Sequence, residues 1–168
     1  MLKCQNRLKL KFAVATVCLL QFVSASIAST TTSTFTTQVM IAASCTINSA
    51  STLNFGNQGV LIANVDQTST VQVQCTSTTP YNIGLDAGTG TGATVAVRKM
   101  TSGANIVNYS LYSDSGRATI WGNTVGTDTV AAIGSGASQS YTVYGRVMAQ
   151  TTPAPGTYND TVTLTVTY

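Results

Sequence analysis

The residues that carry most enzymatic chemistry are scarce in this sequence of 168 amino acids. It contains no histidine, and its five acidic residues are all aspartates. Without histidine, the Ser–His and Cys–His pairs that activate a nucleophile are absent. Asp114 and Asp128 lie in turn-like segments, where an aspartate commonly bonds to the backbone. We therefore predict no catalytic residues and no enzymatic activity; a pair of aspartates that cleaves a glycosidic bond is the alternative that the sequence leaves open.

The cysteines predict a disulfide bond rather than a metal site. Cys4 and Cys18 belong to a removable leader, which leaves Cys45 and Cys75 as one pair. In an exported protein such a pair is normally oxidised, and closing this loop is worth about 3 kcal/mol in the chain-entropy treatment. Two cysteines without a histidine make a poor metal site, and the ligand spacing of a calcium loop is missing. We expect neither a metal nor a cofactor.

Three further features each have a structural explanation beside a functional one. The glycine-rich residues 88–92 superficially resemble a phosphate-binding loop, but no helix pattern follows them, so we expect a flexible hairpin. Arg117 and Arg146 are the charges most open to a functional role, although an ion pair or a hydrogen bond to a loop carbonyl is the simpler expectation. Trp121 could stack on a sugar ring, but a lone tryptophan in a β-sandwich is usually part of the core.

In two segments, one near each end of the chain, apolar and polar residues alternate. A period of two is typical of a β-strand with one buried face. The sequence stops on the second segment, so we expect no later strand to cover that edge; the first segment could cover it in a neighbouring copy. The predicted donor strand consists of Phe35, Thr37, Val39, Ile41 and Ala43, and the predicted acceptor-edge strand of Val162, Leu164, Val166 and Tyr168.

Residues 1–28 have the pattern of an export signal. Four basic residues precede an apolar stretch at 12–23, and small residues then lead to a cleavage site after Ala28, with Ser26 as the alternative. The apolar stretch is short for a membrane span, so a signal anchor is the less favoured interpretation. Without the leader, four basic residues stand against five aspartates, a net charge of −1. A nucleic-acid partner is therefore not expected.

The remaining residues predict an all-β fold. Threonine, serine, glycine and valine are abundant, which favours pleated sheets punctuated by turns. No helical stripe of useful length follows the leader. Short strand-like stretches separated by turn residues occur at 53–56, 71–75, 81–85, 109–113 and 141–146. This spacing is typical of an immunoglobulin-like β-sandwich.

An ordered set of motifs carries a specific resemblance. They are Cys45-Thr46-Ile47, Leu53-Asn54-Phe55-Gly56, a Val-x-Val-x-Cys run ending at Cys75, Pro80-Tyr81-x-Ile83, Tyr109-x-Leu111-Tyr112-x-Asp114, Arg117, Trp121-Gly122, residues 141–147, and Pro155-Gly156-x-Tyr158-x-Asp160-Thr161-Val162 before the terminal Tyr168. Together they resemble the spore coat protein U domain family over essentially the whole mature chain. The Gram-negative members of that family are subunits of archaic, Csu-like chaperone–usher pili. Met148 and Ala149 follow Val147, where the family often has a proline, and this mild departure concerns only local loop geometry.

The resemblance implies an incomplete immunoglobulin-like β-sandwich that lacks its last strand and carries an N-terminal donor-strand extension. A periplasmic chaperone lends a strand during export, an outer-membrane usher takes part in assembly, and the extension of a neighbouring copy or a related pilin replaces the chaperone strand in the fibre. The implied organisation is a signal peptide at 1–28, a donor-strand extension at 29–44 and a pilin domain at 45–168. We expect a major-pilin-like structural subunit of a surface pilus that supports adhesion and biofilm formation. The alternative is a secreted ligand-binding module, such as an adhesin or a lectin-like domain.

Overall fold

The structure is a computed structural model that describes residues 27–168, so nearly all of the predicted signal peptide lies outside the described residues. The chain divides into two units between Val39 and Met40, and the second unit, Met40–Tyr168, contains all of the strands found among the described residues. Residues 27–44 form no strand, and all of them are exposed. The part of the chain that the structure describes has no helix suited to crossing a membrane.

Eight β-strands make up the second unit, and all of their pairings are antiparallel. They are β1 (Cys45–Ala50), β2 (Val65–Cys75), β3 (Pro80–Leu85), β4 (Arg98–Ser102), β5 (Asn105–Tyr112), β6 (Val130–Ile133), β7 (Ser138–Val147) and β8 (Leu164–Thr167). A five-stranded sheet has the order β1-β2-β7-β5-β4, and a three-stranded sheet has the order β6-β3-β8.

The core lies between the two sheets, where strands alternate between inward apolar and outward polar residues. In β2 the inward residues are Val71, Val73 and Cys75, and in β3 they are Tyr81, Ile83 and Leu85, all of them buried. Val107, Tyr109 and Leu111 of β5 and Val143 and Val147 of β7 complete the set from the strands. This alternation is what a two-sheet sandwich requires. The predicted all-β, immunoglobulin-like sandwich is confirmed.

The predicted disulfide is present and joins the first strand to the second. Cys45 and Cys75 are bonded and lie directly opposite each other in the register of β1 and β2. Their neighbours Ser44 and Thr76 share a backbone hydrogen bond, in which Thr76 N donates to Ser44 O at 2.9 Å. The cysteines therefore occupy a non-hydrogen-bonded pair, the closest spacing in an antiparallel ladder, and their Cα atoms are 4.1 Å apart.

Two local predictions were wrong. Residues 53–56 form no strand: Leu53 and Phe55 pack against the core from an irregular segment, and Gly56 has a left-handed φ of 73°. Residues 88–92 are not the tip of a hairpin, because β3 and β4 belong to different sheets. The connection between these strands crosses from one layer to the other, a long-range arrangement that local turn chemistry does not encode.

Candidate functional site: a groove between two sheet edges

β8 is an edge strand whose second side pairs with no strand among residues 27–168. The register places Leu164 opposite Leu85 and Val166 opposite Ile83. One step earlier, Asp86 N donates to Thr163 O at 3.1 Å, so that pair is hydrogen-bonded. Bonded and non-bonded pairs alternate along an antiparallel ladder, so Leu164 and Val166 direct their N–H and C=O groups away from β3. These groups form a template for one more strand.

A groove lies where the end of β1, the edge strand of the other sheet, and the start of β8 come near each other, and Ala50 and Leu164 line it from these two strands. A cavity of about 370 Å³ lies in it. One wall consists of Ala50, the last residue of β1, together with residues 51–53 and Phe55, and the other consists of residues 158–162 with Leu164. Inward residues of the five-stranded sheet, including Val71, Tyr109 and Val143, lie at the bottom. The groove is therefore apolar at its base and bordered by a free strand edge.

The predicted acceptor residues follow the expected alternation with one exception. Val162, Leu164 and Val166 are half-buried and pack against the core, while the threonines between them are exposed. Tyr168 was expected to face inward, but 60% of it is exposed. The reason is that β8 ends at Thr167, so the side chain of Tyr168 lies beyond the last paired residue. That these residues accept a strand stays a prediction.

Asp160 holds the segment that leads into β8. The Tyr109 hydroxyl donates to Asp160 Oδ2 at 2.8 Å, and the backbone N–H groups of Thr89 and Thr161 each donate to Oδ1 at 2.8 Å. Burial raises the pKa of Tyr109 above its ordinary value, and the hydrogen bond to Asp160 raises it further. This carboxylate thus fixes one wall of the groove to the core and to the loop after β3.

Sequence reasoning missed Arg98, the one fully buried charge in the described part of the chain. Its guanidinium donates to four carbonyl oxygens, those of Leu85 (2.9 Å), Asp86 (2.7 Å), Val95 (2.8 Å) and Trp121 (2.7 Å). Burial lowers the pKa of Arg98, but an arginine keeps its charge in proteins. Arg98 connects the end of β3, which borders the groove, to the loops that contain Val95 and Trp121. No sequence motif marks this role, because Arg98 stands next to Lys99 and the sequence does not show which of the two charges is buried.

Asp86 links the same strand end to β8. Its Oδ1 accepts hydrogen bonds from the backbone N–H groups of Gly88 (2.9 Å) and Thr163 (2.8 Å). Burial raises the pKa of this carboxyl, but the hydrogen bonds from Thr163 and Gly88, together with the charge of Arg98, outweigh burial and lower the pKa overall. The ionised form of Asp86 therefore stabilises the start of the acceptor edge.

The predicted donor residues carry large exposed apolar side chains. Phe35 is 88% exposed, Val39 81% and Ile41 76%, and none of residues 35–43 belongs to a strand. Thr37 and Ala43 are exposed as well. Three large apolar side chains at alternate positions suit a strand that buries one face elsewhere. Their role as a donor stays a prediction.

The other residues considered from sequence have structural roles. Trp121 is buried, and its indole N–H donates to Ile83 O at 2.8 Å, so it belongs to the core. Arg146 forms a two-point ion pair with Asp66, with N–O distances of 2.7 and 2.8 Å. The Arg146 hydrogen bond lowers the pKa of Asp66, which is also 3.4 Å from Arg117. Arg117 lies over the Tyr144 ring and has a left-handed φ of 55°.

The chemistry of this arrangement suits the addition of a β-strand, which stays a prediction here. Residues 27–168 contain no cluster of three potential metal ligands. The groove offers apolar side chains at its base and free backbone donors and acceptors along β8. Strand addition uses these two features together: the backbone bonds provide affinity, and pockets for alternate side chains provide specificity.

Comparison with known proteins identifies the family. The sequence model of the spore coat protein U domain matches residues 31–165, which include all eight strands except the last two residues of β8. The chain belongs to the spore coat protein U domain family. The resemblance inferred from the motifs is thereby confirmed.

A relative and a solved structure agree with this family. Protein U of Myxococcus xanthus is 35% identical over 156 residues, covering 84% of this chain and 87% of that protein. The fold also matches a chain of the chaperone–tip adhesion subunit pre-assembly complex, CsuC–CsuE, from archaic chaperone–usher Csu pili of Acinetobacter baumannii. That match has a TM-score of 0.55 and 26% identity over 76% of this chain. The match covers 40% of the length of the matched chain.

Proposed function

We propose that this chain is a structural pilin of a chaperone–usher surface fibre and that it polymerises by donating residues 35–43 to the groove of the next copy. The observation that carries the proposal is the free edge of β8 beside an apolar groove, in a chain whose exposed segment has the alternation that such a groove can bind. Membership of the family and the match to a Csu pilus complex support it. These are the family and fold of structural pilins rather than of enzymes.

The dimensions and energies of the segment suit this role. Nine residues in extended conformation span about 30 Å, at about 3.3 Å per residue. Phe35, Val39 and Ile41 would become buried, with smaller contributions from Thr37 and Ala43. At about 1.5–3 kcal/mol per large side chain, the three together stabilise the joint by roughly 5–9 kcal/mol. The backbone bonds to Leu164 and Val166 would add to this and close the edge.

The same groove defines the partners. A periplasmic chaperone would occupy it during export, which agrees with the chaperone–subunit complex that this fold matches. An outer-membrane usher would exchange the chaperone for the donor segment of a neighbouring copy or a related pilin. The protein would pass through the periplasm and function on the cell surface, where the fibre supports adhesion and biofilm formation.

A ligand-binding module is the second candidate, because the matched complex contains a tip adhesion subunit. Electron microscopy of cells that lack this chain separates the two roles. Loss of all fibres indicates a shaft subunit, whereas intact fibres that no longer adhere indicate a binding module.

The donor segment can be tested by placing a charge on its buried face. Ile41→Asp would put a carboxylate into the apolar groove, where an unpaired charge is costly, and should abolish polymer ladders on unboiled gels. Met40→Asp is the matched control: it adds the same charge one residue away, on the opposite face of the strand, and should leave the ladders intact. Both variants should co-purify with the chaperone, since neither alters the groove. Normal ladders from Ile41→Asp would rule out donation by this segment.

A further inference from the structure

Two exposed apolar patches lie at opposite ends of the sandwich. The first, the tip patch, consists of Val60 (72% exposed) and Ile62 (84% exposed) in the loop between β1 and β2. The second, the base patch, consists of Ile133 (65% exposed) and Tyr168 (60% exposed), which flank the start of β3: Ile133 pairs with Pro80 on one side, and Tyr168 follows Thr167, which pairs with Asn82 on the other. Neither patch belongs to the groove.

The register of the strands assigns each patch to its end. Leu61, between the two tip residues, bonds to Gln150, which follows the end of β7 where Val147 pairs with Val65. Ile133 pairs with Pro80, at the beginning of β3, and nearby Gly136 N donates to Cys75 O at 3.0 Å. The base patch therefore lies at the disulfide end of the domain and the tip patch at the other end.

The tip patch is held in place rather than mobile. Leu61 is buried, its N–H donates to Thr152 Oγ1 at 2.8 Å, and its carbonyl accepts from Gln150 N at 2.9 Å. Ile62 N also donates to Val60 O at 3.0 Å, a tight turn that sets the two exposed residues on either side of Leu61. A loop fixed by these bonds presents an apolar surface without having to order itself on binding.

The proposed joint brings the two ends of successive copies together. Only Ser44 separates Ala43 from the disulfide, and it is bound by Thr76, whose Oγ1 accepts from Ser44 N at 3.1 Å. A donor strand antiparallel to β8, like every other pairing in the domain, would run from the disulfide end of the acceptor towards its tip end. The domain that follows the donor strand would then meet the tip end at once. A parallel donor strand would instead bring the disulfide ends of two copies together. Each copy's own donor segment also leaves from that end, so the space there would be crowded.

We infer that the tip patch of one copy packs against the base patch of the next copy, as a second contact in the fibre besides the donor strand. This inference rests on the proposed function. Residues 56–64 and 133–137 contain no charged side chain, so this contact desolvates no charge in either segment. The two surfaces differ, and a contact between different surfaces of one molecule propagates into an open fibre.

Cross-linking in assembled fibres tests the contact. The full chain would carry Ile62→Cys together with either Ile133→Cys or Tyr168→Cys, and fibres would be treated with a short bis-maleimide reagent. The mature chain otherwise has both of its cysteines in the disulfide, so only the introduced thiols react. The control pair is Ile62→Cys with Val125→Cys, an exposed residue in the loop before β6, and each single variant is treated in parallel.

The expected result is a covalent ladder that survives boiling for at least one tip–base pair, and none for the control pair or the single variants. An unboiled ladder in the tip–base variants without any covalent ladder would overturn the contact and leave strand donation standing. Absence of an unboiled ladder in the unmodified chain would refute the proposed function, and the contact with it.

Discussion

At the scale of single residues, we expect Arg98 to stabilise the end of β3, which borders the groove. It is fully buried and satisfies four carbonyl oxygens from three separate segments. Arg98→Met keeps much of the volume but leaves those carbonyls unpaired, at about 1–3 kcal/mol for each buried group. We expect the free energy of unfolding, measured by denaturant titration with the disulfide intact, to fall by at least about 3 kcal/mol.

Arg146→Met is the matched control for Arg98. Its ion pair with Asp66 is partly exposed on the outer face of the sheet, and pairs at the surface are worth about 1 kcal/mol or less. Equal losses for the two variants would mean that the buried carbonyls find other partners and that Arg98 does not organise the groove.

The lowered pKa of Asp86 predicts that the folded chain loses stability in acid. Its pKa is lowered in the folded chain, so its stabilising contribution is complete above the ordinary aspartate value near 4 and disappears as the pH falls through the folded pKa. Asp86→Asn removes that contribution. The variant should therefore be less stable than the parent at pH 7 and should lose less stability on acidification. Parallel stability curves from pH 7 to pH 2 would contradict this role.

At the scale of elements, β8 is an edge strand that pairs on one side only, with β3. Leu164 packs against the core but is only half-buried. Leu164→Ala should cost about 1–3 kcal/mol, below the 2–5 kcal/mol typical of a fully buried leucine. Thr165→Val, on the exposed face of the same strand, keeps the side-chain shape and should change the unfolding free energy by less than about 0.5 kcal/mol. A larger effect at Thr165 than at Leu164 would mean that the strand faces the other way.

Strands with a clear period of two could be predicted from sequence, and elements fixed by distant contacts could not. Val71, Val73 and Cys75, or Tyr81, Ile83 and Leu85, show the buried face directly. Phe55 was assigned to a strand because Leu53 and Phe55 lie two residues apart, as apolar residues in a strand do. In the structure, Phe55 reaches the core from an irregular segment. Tyr168 continues the alternation of β8, but the strand ends one residue earlier. Periodicity reports which face is apolar, whereas strand length and pairing are set by partners far away in sequence.

The same distinction applies to the residues of the candidate site. The two alternating segments that would form the joint could be read from the sequence, because each carries its own pattern. The residues that shape the groove, Arg98, Asp86 and Asp160, could not. Their partners are backbone groups of segments that come together only in the fold.

At the scale of the whole molecule, the central claim is that the domain presents one unfilled strand position. In the proposed assembly, the free edge of β8 and the apolar groove of one copy would receive the exposed residues 35–43 of another copy. Such an edge is normally protected, because it can pair with any other exposed strand. A chaperone before assembly and a neighbouring copy afterwards would provide that protection.

Amide hydrogen exchange along β8 tests this claim most directly. In the isolated mature chain, the amides of Leu164 and Val166 should exchange rapidly, because they face the free edge, while the amide of Thr165, which faces Gly84, should be protected. In the assembled polymer, or with a synthetic peptide of residues 34–43 bound, Leu164 and Val166 should become as protected as Thr165. If exchange at Leu164 and Val166 is the same in the isolated chain and in the polymer, no strand is added beside β8, and the proposed mechanism of assembly is wrong.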